Sequence, residues 1–248
     1  MMNSSTRLAT VLSLSLLALV LMPTTAVGQD PISADRPGLG DGASPLTTNT
    51  VQIELGAVGA NEDFGTEAEL GQLLLRYGVT EFLELRGGVG SVAFDAPETE
   101  YTGTSLGGKL RLLQSPLSTL SVVSTWDLPT GTGAFDADNV AQTLKLAYDG
   151  ALGEDLGVSV NAGASLPYTD NADLSYLFIP TLSFAVTDRV GGYVGYAGFY
   201  TEGLNTNYVE AGVTLLSSLD TQLDVNTGLQ LDENRDAFFL GVGLAHRF

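Results

Sequence analysis

From Val51 to Phe248 the chain alternates apolar residues with polar or small ones at a period of two, and this regularity constrains the fold more than any other feature. Successive side chains of a strand point to opposite faces, so a period of two selects β-strands; a helix needs a period near 3.6. The pattern resolves into about twelve segments. They are Val51–Ala60, Glu69–Gly78, Phe82–Val92, Tyr101–Leu113, Ser118–Leu128 and Asn139–Tyr148, then Asp155–Leu166, Leu174–Val186, Val190–Tyr200, Asn207–Leu215, Thr221–Leu231 and Ala237–Phe248. In Thr221–Leu231, Leu223, Val225 and Leu229 share one face, and Gln222, Asp224, Asn226 and Gln230 share the other. In Tyr101–Leu113, Leu110 and Leu112 oppose Lys109 and Arg111.

The connections alternate as well. Val79–Glu81, Gln114–Leu117, Asp149–Glu154, Thr187–Arg189 and Leu216–Asp220 are short. Between them lie generally longer, acidic or glycine-bearing stretches: Asn61–Ala68, Ala93–Glu100, Pro129–Asp138, Pro167–Asp173, Thr201–Thr206 and Asp232–Asp236. Aromatic residues gather near strand ends, with Phe94, Tyr101, Trp126, Tyr168, Tyr200, Tyr208 and Phe238 toward the long connections. Tyr77, Phe82, Tyr148, Phe184 and Phe248 lie toward the short ones. Long loops at one end, short turns at the other and two aromatic girdles describe a barrel that crosses a membrane.

Alternation alone does not say which face is wet, because a soluble barrel turns its apolar set inward and a membrane barrel turns it outward. The two ends of the chain favour the second. Arg7, the apolar run Leu8–Met22, Pro23 and the small residues Ala26-Val27-Gly28 read as a cleavable export signal over residues 1–28. The run is too short for a stable membrane helix. At the other end Phe238, Leu240, Val242, Leu244, His246 and Phe248 alternate up to a terminal aromatic, an ending suited to recognition by barrel-assembly machinery. The expected architecture is all-β: a transmembrane antiparallel up-and-down β-barrel over residues 51–248, preceded by a periplasmic N-terminal segment over residues 29–50. The outer membrane of a bacterial cell is the expected location, with its lipid as the surrounding partner.

Charge narrows the function. The formal charge is -19 and there is no cysteine, which excludes disulfides, a thiol nucleophile and thiolate metal sites. Mean hydropathy is nonetheless +0.18, between the values usual for acidic soluble proteins and for helical membrane proteins. Nucleic-acid binding would need an exposed basic patch, and none is expected. The single histidine, His246, falls on the predicted lipid face, far from the long loops, so a serine–histidine–aspartate site has no base. No catalytic residue, metal site or cofactor is expected. Glu62, Asp63, Glu67, Asp95, Glu98, Glu100, Asp136 and Asp138 concentrate negative charge on the long connections as a solvated surface.

Within the predicted lumen Arg76, Arg86, Lys109, Arg111 and Lys145 mix with Glu54, Glu84, Asp127, Glu210 and Asp224. Mixed signs fit either a charge network filling the interior or a solute path whose constriction is set by Arg76, Arg86, Lys109 and Arg111. Residues 29–50 are too rich in glycine and proline for a strand. Asp35-Arg36-Pro37 is expected to close the periplasmic mouth, with Arg36 pairing an inward acid such as Glu54.

The segment Ala34-Asp35-Arg36-Pro37, then Ser44-Pro45, then Val51-Gln52-Ile53-Glu54-Leu55-Gly56 resembles the start of the MetA-pathway of phenol degradation family of outer-membrane proteins. Leu73–Arg86 is similar to that family's second hairpin, and His246-Arg247-Phe248 resembles its tyrosine–arginine–phenylalanine ending. Ala34 stands where the family usually has threonine, and Gly38–Gly42 replaces a more polar stretch. The resemblance implies passage of small, hydrophobic or aromatic solutes. A channel is therefore the leading expectation; a structural barrel without transport and an outer-membrane hydrolase are the alternatives.

Overall fold

The computed structural model describes residues 30–62, 65–95, 98–166, 174–231 and 237–248. The candidate export signal lies outside them, as do the connections over residues 167–173 and 232–236.

Alternating segments become strands: β1 (Val51–Glu62), β2 (Gly65–Gly78), β3 (Leu83–Val89), β4 (Val92–Asp95), β5 (Glu98–Tyr101), β6 (Thr104–Ser115), β7 (Ser118–Leu128), β8 (Ala141–Ala151), β9 (Leu156–Leu166), β10 (Ser175–Ala185), β11 (Val190–Thr201), β12 (Leu204–Ser218), β13 (Thr221–Gln230) and β14 (Phe238–Arg247). All pairings are antiparallel, and β1 pairs with both β2 and β14, which closes the sheet. β3 and β4 both pair with β2 and form one barrel strand. β5 and β6 likewise continue each other, with Gly90 N–H donating to Gly103 O (2.7 Å) and Thr102 N–H to Ser91 O (3.0 Å) across the two breaks. The result is a closed barrel of 12 strands.

The faces sort as the period requires. Leu75, Leu85, Leu106, Leu144, Val194, Val213, Val225, Leu229 and Leu240 are exposed on the outside, while Gln52, Glu54, Arg76, Glu84, Lys109, Asn161, Gln222 and Asp224 are buried inside. The first set makes an apolar outer belt of the kind a lipid-facing surface requires, and the lumen holds the second. Tyr77, Phe82, Tyr148, Phe184 and Phe248 ring the short-turn end, and Phe94, Trp126, Tyr176 and Phe238 stand exposed toward the other end. His246 shares the outward parity of Leu240 and Val242 but is buried, its Nδ1 2.9 Å from Thr221 Oγ1 and its ring edge-on to Phe248. Gly71 has φ 88, beside the register shift between Gly56 and Ala57 of β1, a bulge that a side chain would strain.

Several long connections are shorter than the sequence suggests. β1 runs to Glu62 and β2 starts at Gly65; β4 and β5 pair as a hairpin over the expected Ala93–Glu100 loop; β11 and β12 leave only Glu202-Gly203 between them. Polar strands can keep pairing beyond the lipid because the ladder still satisfies their backbone groups. The side chains of Glu62, Glu67, Asp95 and Glu98, and Asp63 altogether, lie outside the described residues. Asp136 and Asp138 are exposed, whereas Glu100 accepts from Ala134 N–H at 2.9 Å.

Residues 30–50 form no strand. They enter the barrel from the short-turn end, where Ile32 N–H bonds Leu219 O (2.7 Å) and Arg247 Nη2 donates to Asp30 O (2.7 Å), and return to β1 past a Thr50 N–H to Thr47 O turn. Gly78 has no side chain where Thr47 O passes; a Cβ there would collide with that backbone.

Candidate functional site

An inserted segment without secondary structure must find partners for its backbone in the wall. Here the wall supplies them. Asp35 and Arg36 N–H both donate to Glu54 (3.1 Å each), Leu39 N–H to Glu210 (3.2 Å), Asp41 N–H to Asn161 Oδ1 (3.1 Å), Ala43 N–H to Asp149 Oδ2 (2.6 Å) and Leu46 N–H to Glu84 Oε2 (2.8 Å). The carbonyls are met too, by Arg76 to Ser33 O (3.0 Å), Gln222 to Arg36 O (2.9 Å), Asn161 to Asp41 O (2.9 Å) and Ser121 to Ala43 O (2.5 Å). Gly38 has φ 112, a left-handed turn, beside Tyr193 and Glu210.

The side chains of the insert then sort by charge. Arg76, fully buried on β2, grips Glu84 through Nε and Nη2 (2.9 Å each) and Glu54 through Nη1 (2.8 Å), and stands 3.5 Å from Asp35. Arg86 on β3 donates from Nη1 to Asp35 Oδ2 (2.5 Å) and from Nη2 to Asp41 Oδ1 (2.7 Å). Lys109 on β6 donates to both Asp35 oxygens (3.1 and 3.2 Å), and Lys145 on β8 pairs with Asp41. Burial opposes ionisation of Asp35, yet Arg76, Lys109 and Arg86 hold its carboxyl well below the usual carboxylate range. Asp41 is also lowered: burial and the nearby Asp35 raise it, and Arg86 and Lys145 outweigh them.

Arg36 goes the other way. Its guanidinium lies over the paired Gly56 of β1 and Gly243 of β14, where any Cβ would meet it. It donates to Gln72 Oε1 and Val242 O (3.2 Å each) and reaches Asp224 of β13 at 3.7 Å. Arg36 Nε, both Asp224 oxygens, Asn226 Oδ1 and Gln52 Oε1 are buried without a hydrogen-bond partner among the described residues. Arg36 therefore does not pair with Glu54, as the sequence suggested; Arg76 and two backbone amides already fill that carboxylate.

The lumen residues named from sequence thus separate. Arg76, Glu84, Arg86, Lys109 and Lys145 converge on the insert; Glu210 and Asp224 meet it from the opposite wall. Three of the four expected constriction residues do not line an open ring, because Arg76, Arg86 and Lys109 are taken up in ion pairs. Arg111 is half-buried at the short-turn end of β6, without an ion pair among the described residues. Asp127 lines a cavity near the long loops. Pro37, after a cis peptide bond, lines a cavity near the short turns. Sequence reasoning passed over Asp41, Asn161, Asp149 and Tyr193. Asp41 sat in a glycine-rich stretch with no periodicity to assign it a face, and Asp149 read as a turn residue.

The insert divides the lumen. A cavity of about 390 Å³ lies on the long-loop side, lined by Glu69, Ser91, Thr104 and Asp127 among others. A second of about 570 Å³ lies on the short-turn side, lined by Asp149, Asp155, Tyr193 and Thr214 among others. Asp35, Arg36, Gly38, Gly40 and Asp41 border both. Among the described residues no group of three or more histidine, aspartate or glutamate side chains is placed to hold a metal ion.

The family model described as "Putative MetA-pathway of phenol degradation" matches residues 34–248. The chain belongs to this family. The match covers the insert from Ala34 onward together with the barrel. No curated protein matches the chain. Among solved structures it is similar to an outer membrane channel from Pseudomonas putida F1, at 17% identity and a TM-score of 0.69, over 86% of this chain and 100% of that one. It is also similar to the NanC porin, at 7% identity and a TM-score of 0.60, over 77% and 98% of the two chains. The KdgM porin in complex with disordered oligogalacturonate matches at 11% identity and a TM-score of 0.59, over 79% and 99%. At these identities the likeness is one of fold.

Proposed function

We propose that this family member is a channel of the bacterial outer membrane for small solutes, and that residues 30–50 are its plug. The carrying observation is the pair of cavities that meet on opposite faces of Asp35–Asp41 inside a closed barrel with an apolar outer belt. A purely structural barrel has no use for two vestibules separated by one short segment. The fold shared with channels and porins supports the reading, and the family description points to small aromatic solutes as cargo.

Planar-bilayer recording tests it. The full chain should give small conductance steps, and removal of residues 29–45 should raise them severalfold. Absence of conductance in both proteins would favour a structural barrel.

Residues 1–28 act in this reading as a cleaved export signal, so sequencing the mature N-terminus from outer-membrane fractions should find a start near Gln29. Phe248 is exposed at the end of β14, next to its bond from N–H to Val51 O (2.8 Å). Replacing it with Asp should lower outer-membrane levels if the assembly machinery reads this residue; unchanged levels would remove it from that role.

A further inference from the structure

We infer that the basic wall of the lumen is a binding site for small dicarboxylates, held closed by the chain's own Asp35 and Asp41. The inference rests on the channel reading and names the class of solute that competes with the plug.

The site is built before any solute arrives. Arg76, Arg86, Lys109 and Lys145 project from four strands, β2, β3, β6 and β8, and the first three are buried or nearly so. Their partners in the wall are Glu54 and Glu84. Arg76, Arg86 and Lys109 face Glu54 and Glu84, and Lys145 faces Asp127 at longer range; Asp35 and Asp41 add the two carboxylates that reach all four cations. Without the insert Lys109 and Lys145 would keep no ion pair among the described residues and Arg86 only its 3.5 Å contact with Glu84, a costly state that an anion relieves.

The geometry asks for two carboxylates on one molecule. A single guanidinium, Arg86, holds both acids, one on each terminal nitrogen. That places the two carboxylates side by side, with Lys109 beyond the first and Lys145 beyond the second. A four-carbon dicarboxylate can place its two ends in the same way; a monocarboxylate can fill only one. The two cavities reach the segment from both ends of the barrel, which gives such a solute a way in and a way out.

Titration calorimetry on the detergent-solubilised protein tests the site with succinate and acetate as probes. The barrel lacking residues 29–45 should bind succinate about tenfold or more tighter than acetate. The full chain should bind succinate more weakly than the truncated barrel, because Asp35 and Asp41 compete. Arg86→Gln in the truncated barrel should erase the preference. If the truncated barrel does not give a heat-modifiable band on gels, the full chain with Asp35→Asn and Asp41→Asn takes its place. Equal affinity for the two probes, or succinate binding that is insensitive to both the insert and Arg86, overturns the inference. Binding without conductance would sink the channel and keep the site; conductance without dicarboxylate preference would do the reverse.

Discussion

On the wall formed by β1, β2, β3, β6 and β8, Asp35 and Asp41 meet cations at hydrogen-bonding distance, and the wall acids Glu54 and Glu84 complete the network. On the wall formed by β12, β13 and β14, Arg36 reaches Asp224 only at 3.7 Å, and Asp224, Asn226 and Arg36 Nε keep buried atoms without hydrogen-bond partners among the described residues. One side grips the acids of the insert through ion pairs at hydrogen-bonding distance; the other meets it with Glu210 on the Leu39 N–H, Gln222 on Arg36 O and Val242 O on the Arg36 guanidinium. The contrast teaches that the plug is anchored asymmetrically. Its acids are held by close ion pairs, and its arginine by two hydrogen bonds and one long ion pair.

The largest test removes the anchor. Asp35→Ala leaves Arg76, Arg86 and Lys109 buried with less compensation, a loss on the order of 3–5 kcal/mol in docking. Single-channel open probability should then approach that of the barrel lacking residues 29–45. Wild-type behaviour of this variant would mean the basic wall is not what holds the plug.

Acid should reach the same anchor more gradually. Asp35 and Asp41 have lowered pKa values, so their contribution is fully present above the ordinary carboxylate value and is lost as pH falls through the lowered ones. Open probability should stay flat from neutral pH down to about pH 4 and rise only below that. A rise centred between about pH 5 and 7 would assign the release to other groups.

Asp224→Asn should weaken docking by about 1 kcal/mol or less, since the ion pair it removes is long, at 3.7 Å. If its effect on open probability equals that of Asp35→Ala, the asymmetry between the walls is wrong. The smallest effect belongs to Arg111→Ala, because Arg111 makes no ion pair among the described residues. Docking should change by less than about 0.5 kcal/mol. Reversal potentials in a salt gradient should still move toward cations, as a positive charge leaves the lumen.

What the sequence by itself determined was the barrel. Its period of two, with Val225 and Leu229 on one face and Gln222, Asp224 and Asn226 on the other, is a local property of each strand and survives any error in the ends. The same parity placed Arg76, Glu84, Arg86 and Lys109 on the inner face, since direction along a strand needs no knowledge of partners. The tertiary structure decided who pairs with whom. Residues 30–50 carry no periodicity, so nothing local ties Asp41 to Arg86 and Lys145, or Arg36 to the space over Gly56 and Gly243. Those contacts join residues far apart in the chain, and they exist only once closure of β1 onto β14 has set the width of the lumen and the distance between its two walls.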